Sequence, residues 1–387
     1  MVRRVNGSER KMSGNVFCKH DSDAFKRDAD SMDRALPIGK LPNRLLAELI
    51  RPLASPRSEL LRGPAVGEDC AIMDFGVGWI AATTDPITGS DKEIGRLGIH
   101  VSLNDLACAG AEPVAVLVTL LCPPGSTEGS IREIMMAIRT TTESMGVALA
   151  GGHTEITNAV NRMVINVTAL GRTPVNGAIS TAGAKPGDAL VMTKAAGLEG
   201  TAILAHEKEM ELTAAFGADC VNKAKGFMDE ISVVREGLLA AANGVHAMHD
   251  VTEGGILGAV WELCAASGVG AILEENAIPV RAETMRICEH FGLNPLRLIS
   301  SGSMLMACPD GEEMVKKLMD AGIAATVIGK VSTIDVMTSG GLTADRLMAD
   351  RSSDVKYDAV QFVVLQNDLG MVSVEAPEAD EIYKVLT

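Results

Sequence analysis

Acidic and amide side chains gather at five places in this chain, each where an apolar run meets glycine or threonine. They are Gly67-Glu-Asp69-Cys, Thr83-Thr84-Asp85-Pro, Leu103-Asn104-Asp105-Leu, Gly151-Gly152-His153-Thr154-Glu155 and His249-Asp250-Val-Thr-Glu253-Gly-Gly. Hard oxygen donors of this kind suit Mg²⁺, which takes one or two carboxylates and completes its shell with water and phosphate oxygens. Such a cation also lets an acidic protein hold a polyphosphate that its carboxylates would repel. Taken singly, each Asp serves equally well as a turn or helix cap, and Asp69 and Asp85 both suit Asx turns. Asn104-Asp105 differs, because the pair falls inside a helical pattern where both residue types are disfavoured. Glu155 and Asp250 lie beside glycine pairs that permit close backbone approach. His153 and His249 read as core or cap histidines rather than as catalytic bases.

Lys40 and Lys194 are the candidate phosphate contacts. Lys194 precedes Ala-Ala-Gly197-Leu-Glu-Gly200, a glycine turn into a helix, and Glu253-Gly254-Gly255 is a second such turn. Bare N–H groups at helix starts hold anions readily. The common phosphate loops are missing: Gly329-Lys330 is followed by Val331 rather than Ser or Thr, and no G-x-G-x-x-G follows a strand.

The elements that must position these groups come from a chain of 387 residues, enough for two or three domains. With 47% hydrophobic and 22% charged residues it can bury a large core. Aromatics at 3% argue against base-stacking platforms, and a formal charge of -15 repels nucleic-acid backbones and anionic lipid. Eight cysteines without a C-x-x-C pair read as reduced, buried thiols. The N-terminus lacks the apolar region of a secretory signal, and the longest apolar run, Val114 to Cys122, is too short to span a bilayer. The expectation is a cytoplasmic protein that binds neither nucleic acid nor membrane.

Residues 1–36 read as a poorly ordered leader, followed by a helix opened by Asn43. Strands are expected at Cys70–Met73, Trp79–Thr84, Val114–Leu121, Val147–Gly152 (running into a turn), Met163–Ala169, Ala189–Thr193 and Ala325–Ile328. Helices are expected over Ile99–Ala109, Ile131–Met145, from Thr201, Ile231–Ala242, Ile256–Ala266 and Glu312–Ala321. The Gly-, Pro- and Ser-rich segment from Arg172 to Gly187 is the best boundary. It divides the chain into 37–172 and 173–332, with a tail over 333–387, and the alternation of strands and helices indicates an α/β or α+β protein.

From about Ile38 to Ser332 the order and spacing of these motifs resemble the ATP-binding superfamily of aminoimidazole ribonucleotide (AIR) synthase. That PurM-like superfamily includes selenophosphate synthetase, thiamine-monophosphate kinase and the hydrogenase maturation factor HypE. The match, with Pro377-Glu-Ala-Asp-Glu-Ile-Tyr in the tail, is closest to the HypE-related branch. The resemblance implies a two-domain PurM-like fold and a homodimer in which the N-terminal sheets pair into a β-barrel. It implies ATP and Mg²⁺ in a cleft completed by the partner subunit. Asp69, Asp85, Asn104, Asp105 and Asp250 would hold metal, with Asp85 and Asp250 catalytic. Nucleotide contacts would come from Asp69, Thr84, Asn104, Gly151, Gly152, Thr154 and Glu155, with the two lysines. The implied chemistry is ATP-dependent phosphorylation of a small carbonyl, amide or phosphate acceptor. The alternative is a nucleotide-binding maturation or regulatory partner without turnover. HypE carries a C-terminal cysteine, whereas the last cysteine here is Cys308, so a thiol-borne acceptor of that kind is not expected.

Overall fold

The computed structural model describes residues 60–62, 67–74, 76, 78–88, 93–174, 177–333, 363–377 and 379–386. The expected leader, Lys40 and the helix opened by Asn43 lie outside them. The first sheet is formed by β1 (Leu60–Arg62), β2 (Ala71–Asp74), β3 (Trp79–Ile87), β4 (Glu112–Cys122), β5 (Ala148–Ile156) and β6 (Val164–Arg172). Its order is β1-β2-β3-β6-β4-β5, antiparallel except for β4 and β5. A parallel pair needs a long crossover, and α2 (Glu128–Met145) supplies it.

Period-two patterning decides which face of this sheet is covered. Val116, Val118, Leu120 and Cys122 of β4 and Ile165, Val167 and Ala169 of β6 are buried in one apolar core with α1 (Ile94–Cys108) and α2. Thr127 caps α2: its hydroxyl accepts from Ser130 N at 3.1 Å and Ser130 Oγ accepts from Thr127 N at 3.2 Å. Gly146, at φ 67°, ends it. Helix α1 is buried along nearly its whole length, its polar His100, Ser102, Asn104 and Asp105 included, which requires neighbours on every side. The opposite face of the sheet leaves Leu117 and Leu149 exposed, and every residue of the edge strand β5 is exposed.

The second sheet contains β7 (Ala189–Thr193), β8 (Ala247–Asp250), β9 (Gly270–Glu274), β10 (Met304–Cys308), β11 (Ala325–Ser332), β12 (Val363–Asn367) and β13 (Gly370–Val374). Its order is β13-β12-β9-β11-β7-β10-β8. Beyond β7 the chain adds α3 (Leu198–Glu207), α4 (Glu209–Phe216), α5 (Ala218–Lys225), α6 (Val234–Ala242), α7 (Gly255–Ser267), α8 (Ala282–Phe291) and α9 (Gly311–Asp320). Strand β10 is buried on both faces. Leu305 and Ala307 join α7 and its Trp261, while Met304, Met306 and Cys308 join the core that includes α1. Such two-sided burial explains why Met304-Leu-Met-Ala-Cys308 carries no alternation. The tail therefore contributes to this sheet: β12 runs parallel to β9 and β13 closes the edge.

The fold is mixed α/β with two sheets, as the sequence indicates, and among the described residues the first sheet ends at β1 and β5. Two local expectations change. Gly151-Gly152-His-Thr-Glu is the interior of β5 rather than a turn. Gly152 has φ +154° because β5 lies against β4 so closely that a Cβ there would overlap the Val118 carbonyl oxygen. Likewise Thr83-Thr-Asp-Pro is strand, with Asp85 opposite Val167 in the register of β3 and β6. Among the described residues no helix is long and apolar enough to cross a membrane.

Candidate functional site

Four of the five acidic motifs meet between the two sheets. Alternation along β3 puts Thr83 and Asp85 on the side of α1. The Thr83 hydroxyl donates to Asp105 Oδ2 at 2.5 Å and lies 3.5 Å from Asp85 Oδ2. Asp105 stands on the buried face of α1, and the thiol of Cys70 donates to its backbone carbonyl at 3.2 Å. That contact seats the segment before β2, which carries Asp69. From the second sheet, the end of the edge strand β8 delivers His249 and Asp250. Asp69, His249 and Asp250 each present a donor atom within 4.8 Å of the others.

His249 ties the two halves together. Its Nδ1 lies 3.1 Å from Asp69 Oδ2 and its Nε2 lies 3.0 Å from Glu262 Oε2 on α7. A ring with a carboxylate at each nitrogen donates from both, which is the imidazolium form. Burial alone would lower its pKa, but Asp69 and Glu262 hold it well above the ordinary histidine value. Thr181 Oγ1 sits 3.2 Å from Asp69 Oδ2, and Ser180 Oγ donates to Glu68 Oε1 at 2.5 Å.

Asp105 is the electrostatic centre. Burial raises its pKa first, and the charges of Asp85, Asp250 and Asp69, with a hydrogen bond to Asp85, raise it further, well above the usual carboxylate range. Four carboxylates crowded into a buried space call for a compensating cation. Their hard oxygens fit Mg²⁺ better than a thiophilic metal. The neighbouring thiols do not compete, because burial and the same carboxylates push Cys70 and Cys108 well above the ordinary thiol value.

The remaining sequence-derived residues are placed elsewhere. Thr84, one residue off in the alternation, meets Thr168 Oγ1 at 2.9 Å and Asn166 Nδ2 at 3.0 Å on the open face of the sheet. Asn104 is fully buried, and its amide joins α1 to the second half: Nδ2 donates to Ile231 O and Oδ1 accepts from Val233 N, both at 2.9 Å. Lys194 is an internal cation. Its Nζ donates to the carbonyls of Glu230, Ser232 and Gly302 at 2.7–3.0 Å and pairs with Glu236 at 2.6 Å. Gly151, Gly152, Thr154 and Glu155 lie on β5, separated from β3 by β6 and β4, with Glu155 3.3 Å from His153 Nε2. Lys40 is outside the described residues.

Sequence reasoning missed Thr83, Thr181 and Glu262; His249, read as a core or cap histidine, is buried with both ring nitrogens partnered. Strict alternation would have picked Thr83 as the partner of Asp85. Glu262, alone in the apolar run Ile256–Cys264, was a visible signal, since a buried carboxylate needs a partner.

Residues 67–173 match the family described as AIR synthase related protein, N-terminal domain, and residues 185–336 match its C-terminal domain. A carbamoyl dehydratase HypE of Cupriavidus necator is 30% identical over 275 residues, covering 68% of this chain and 75% of that protein. The crystal structure of hydrogenase maturation protein HypE in complex with ATP superposes with a TM-score of 0.65 at 24% identity, covering 89% of this chain and 97% of that one. A HypE–HypF complex gives 0.65 at 21%, covering 86% and 99%. The structural likeness establishes the shared fold, and with the family matches it shows that this chain belongs to the AIR synthase-related, PurM-like family, in its HypE-related branch.

Proposed function

We propose that the protein is a Mg²⁺-dependent, ATP-using enzyme that phosphorylates a small carbonyl, amide or phosphate acceptor. The observation that carries this reading is the convergence of Asp69, Asp85, Asp105 and Asp250 from two sheets and a helix: Asp69 and Asp250 present oxygens within 4.8 Å of each other, and the Thr83 hydroxyl joins Asp105 to Asp85. These four residues would hold the cation, which when bound would neutralise phosphate charge and draw electron density from the transferring phosphoryl group.

The chain's own residues do the rest. Thr83 fixes the orientation of the Asp105 carboxylate, and Asp85 shares a hydrogen bond with it. Asp105, whose carboxyl is held well above the usual carboxylate range by burial and its acidic neighbours, would give up its proton to make room for a bound cation. His249 holds Asp69 in place from the second half. Phosphorylation of an amide oxygen, with release of ADP, converts that oxygen into a leaving group. The dehydration for which the HypE relatives are named is chemistry of this kind. Asp85 and Asp250 remain the proposed catalytic carboxylates.

A homodimer is part of the proposal. The exposed edge strand β5 carries Leu149 and Ile156 outward along with Thr154 and Glu155. An unprotected apolar edge is a pairing surface. Pairing there would give the β5 residues a role in a shared nucleotide site. A maturation partner protein and a cytoplasmic location belong to the same reading, since a HypE structure is known with HypF.

Calorimetric titration of ATP, with and without Mg²⁺, tests it on the wild type and on Asp85→Asn and Asp250→Asn. Mg²⁺-dependent binding that weakens at least about tenfold in both variants supports the site. ATP consumed in the presence of a carbamoyl or other amide acceptor supports turnover, whereas tight binding without consumption supports the regulatory partner instead. Equal binding with and without Mg²⁺, or unaffected variants, refutes the site.

A further inference from the structure

The turn that follows Asp250 is pinned from outside by the C-terminal tail. Glu253 and Gly254 lead from Asp250 into α7, and Gly254 takes the left-handed conformation at φ +84°. A Cβ on Gly254 would stand 2.9 Å from Pro377 Cβ, so glycine is what lets the tail lie against the helix start. Asp380, 2% exposed, accepts from Gly254 N through Oδ2 at 2.8 Å and from Ile382 N through Oδ1 at 2.9 Å. The Tyr383 hydroxyl donates to Glu253 Oε1 at 3.1 Å. Ile382 anchors the tail by burial among the helices of the second half, with Leu198 and Leu298.

We propose that Asp380 and Tyr383 are positioning residues: by holding the backbone of Gly254 and the carboxylate of Glu253, they fix the turn that aims Asp250 into the acidic cluster. The tail grips this turn at two successive residues, three and four positions beyond Asp250. On the other side, Val251 N donates to Ser303 O at 3.0 Å, so the turn is clamped between β10's approach and the tail. The helix start read from sequence as an anion seat is thus filled by the protein's own carboxylate. Burial raises Asp380 to about 6, so it keeps negative charge at neutral pH.

This inference rests on the proposed Mg²⁺–ATP site, and the experiment separates the two. Mg²⁺–ATP affinity is measured by calorimetry on the wild-type full chain, Asp380→Ala, Asp380→Asn, Tyr383→Phe and Asp310→Ala. Asp310 caps α9 by accepting from Glu313 N at 3.0 Å, so its variant loses an equivalent cap away from the turn. Asp380→Ala is expected to weaken binding about tenfold, Tyr383→Phe about threefold, and Asp310→Ala less than twofold. Asp380→Asn, which keeps one acceptor oxygen, lies between wild type and Asp380→Ala. Amide exchange at residues 251–255 rises in Asp380→Ala and not in Asp310→Ala. Wild-type binding with an unaffected Asp380→Ala, or equal losses in Asp380→Ala and Asp310→Ala, overturns this inference alone. No Mg²⁺-dependent binding by the wild type overturns the site reading and this inference with it.

Discussion

Replacing Lys194 by Met should destabilise the fold and leave nucleotide binding nearly unchanged. Its Nζ lies 2.6 Å from Glu236 Oε1, with side chains only 13% and 4% exposed. At an effective dielectric of about 20 that separation corresponds to a gross attraction of about 6 kcal/mol. Desolvation offsets part of it, and removing one member of such a buried pair costs about 3–5 kcal/mol because the other charge is stranded. Met adds no donor for the carbonyls of Glu230, Ser232 and Gly302. A loss of about 4 kcal/mol is therefore expected, a large part of a typical folding free energy of about 5–15 kcal/mol. Met is the informative replacement because residue 194 sits at φ 56°. Met retains a Cβ and so leaves the backbone strain in place, whereas Gly would relieve it.

Urea unfolding followed through the emission of buried Trp261 reads the loss, and calorimetry with Mg²⁺–ATP reads the site. Lys194→Met/Glu236→Gln should lose less than the sum of the single variants, because the stranded charge is gone. A wild-type urea midpoint combined with lost nucleotide binding would refute the reasoning. It would mean that the ammonium meets a phosphate, as the glycine turn after it indicates from sequence alone.

Three further outcomes are expected. His249→Ala removes two charge-assisted bonds, to Asp69 and Glu262, and should cost about 3 kcal/mol; Mg²⁺ should restore more stability to the variant than it adds to the wild type, and equal Mg²⁺ effects on the two urea midpoints would contradict the clamp. Burial raises Glu199 from 4.5 to about 7, so the folded state keeps a proton that the unfolded chain releases near 4.5; stability should fall as pH rises from about 4.5 to 7, by about 3 kcal/mol at most. Glu199→Gln should flatten that part of a stability–pH curve, and an unchanged slope would exclude Glu199 as its source. Finally, Leu149→Arg with Ile156→Glu on the exposed β5 should convert a dimer to a monomer in light scattering with little change in the unfolding midpoint, and a persistent dimer would move the interface elsewhere.

Much of the first sheet was legible because its strands alternate. In β6, Ile165, Val167 and Ala169 face the helices while Asn166 and Thr168 face away, and a period of two shows this directly. The second sheet was less legible for the opposite reason: β10 is buried on both faces, so its sequence is a continuous apolar run without a phase. Helix α8 was overlooked because its apolar positions are few and separated by charge. The motifs marked the acidic residues, but their spacing could not say which would meet. Glu155 and Asp85 lie in equally suggestive contexts, yet β6 and β4 separate their strands.

Asn104 and Asp105 show how local pattern and tertiary structure divide the information. Adjacent residues on a helix point about 100° apart, so a polar pair inside an apolar helix cannot serve one partner. Asn104 turns to the backbone of Ile231 and Val233, and Asp105 turns to Thr83 and Asp85. The first contact docks the second half of the chain onto α1; the second gathers the carboxylates of the first half. Because β8 also packs on α1, the docking that Asn104 secures is what brings Asp250 within electrostatic reach of Asp105. The acidic centre is thus a product of how the two halves pack. Its charge repulsion opposes that packing, which is the physical reason for a buried amide clamp beside a buried carboxylate.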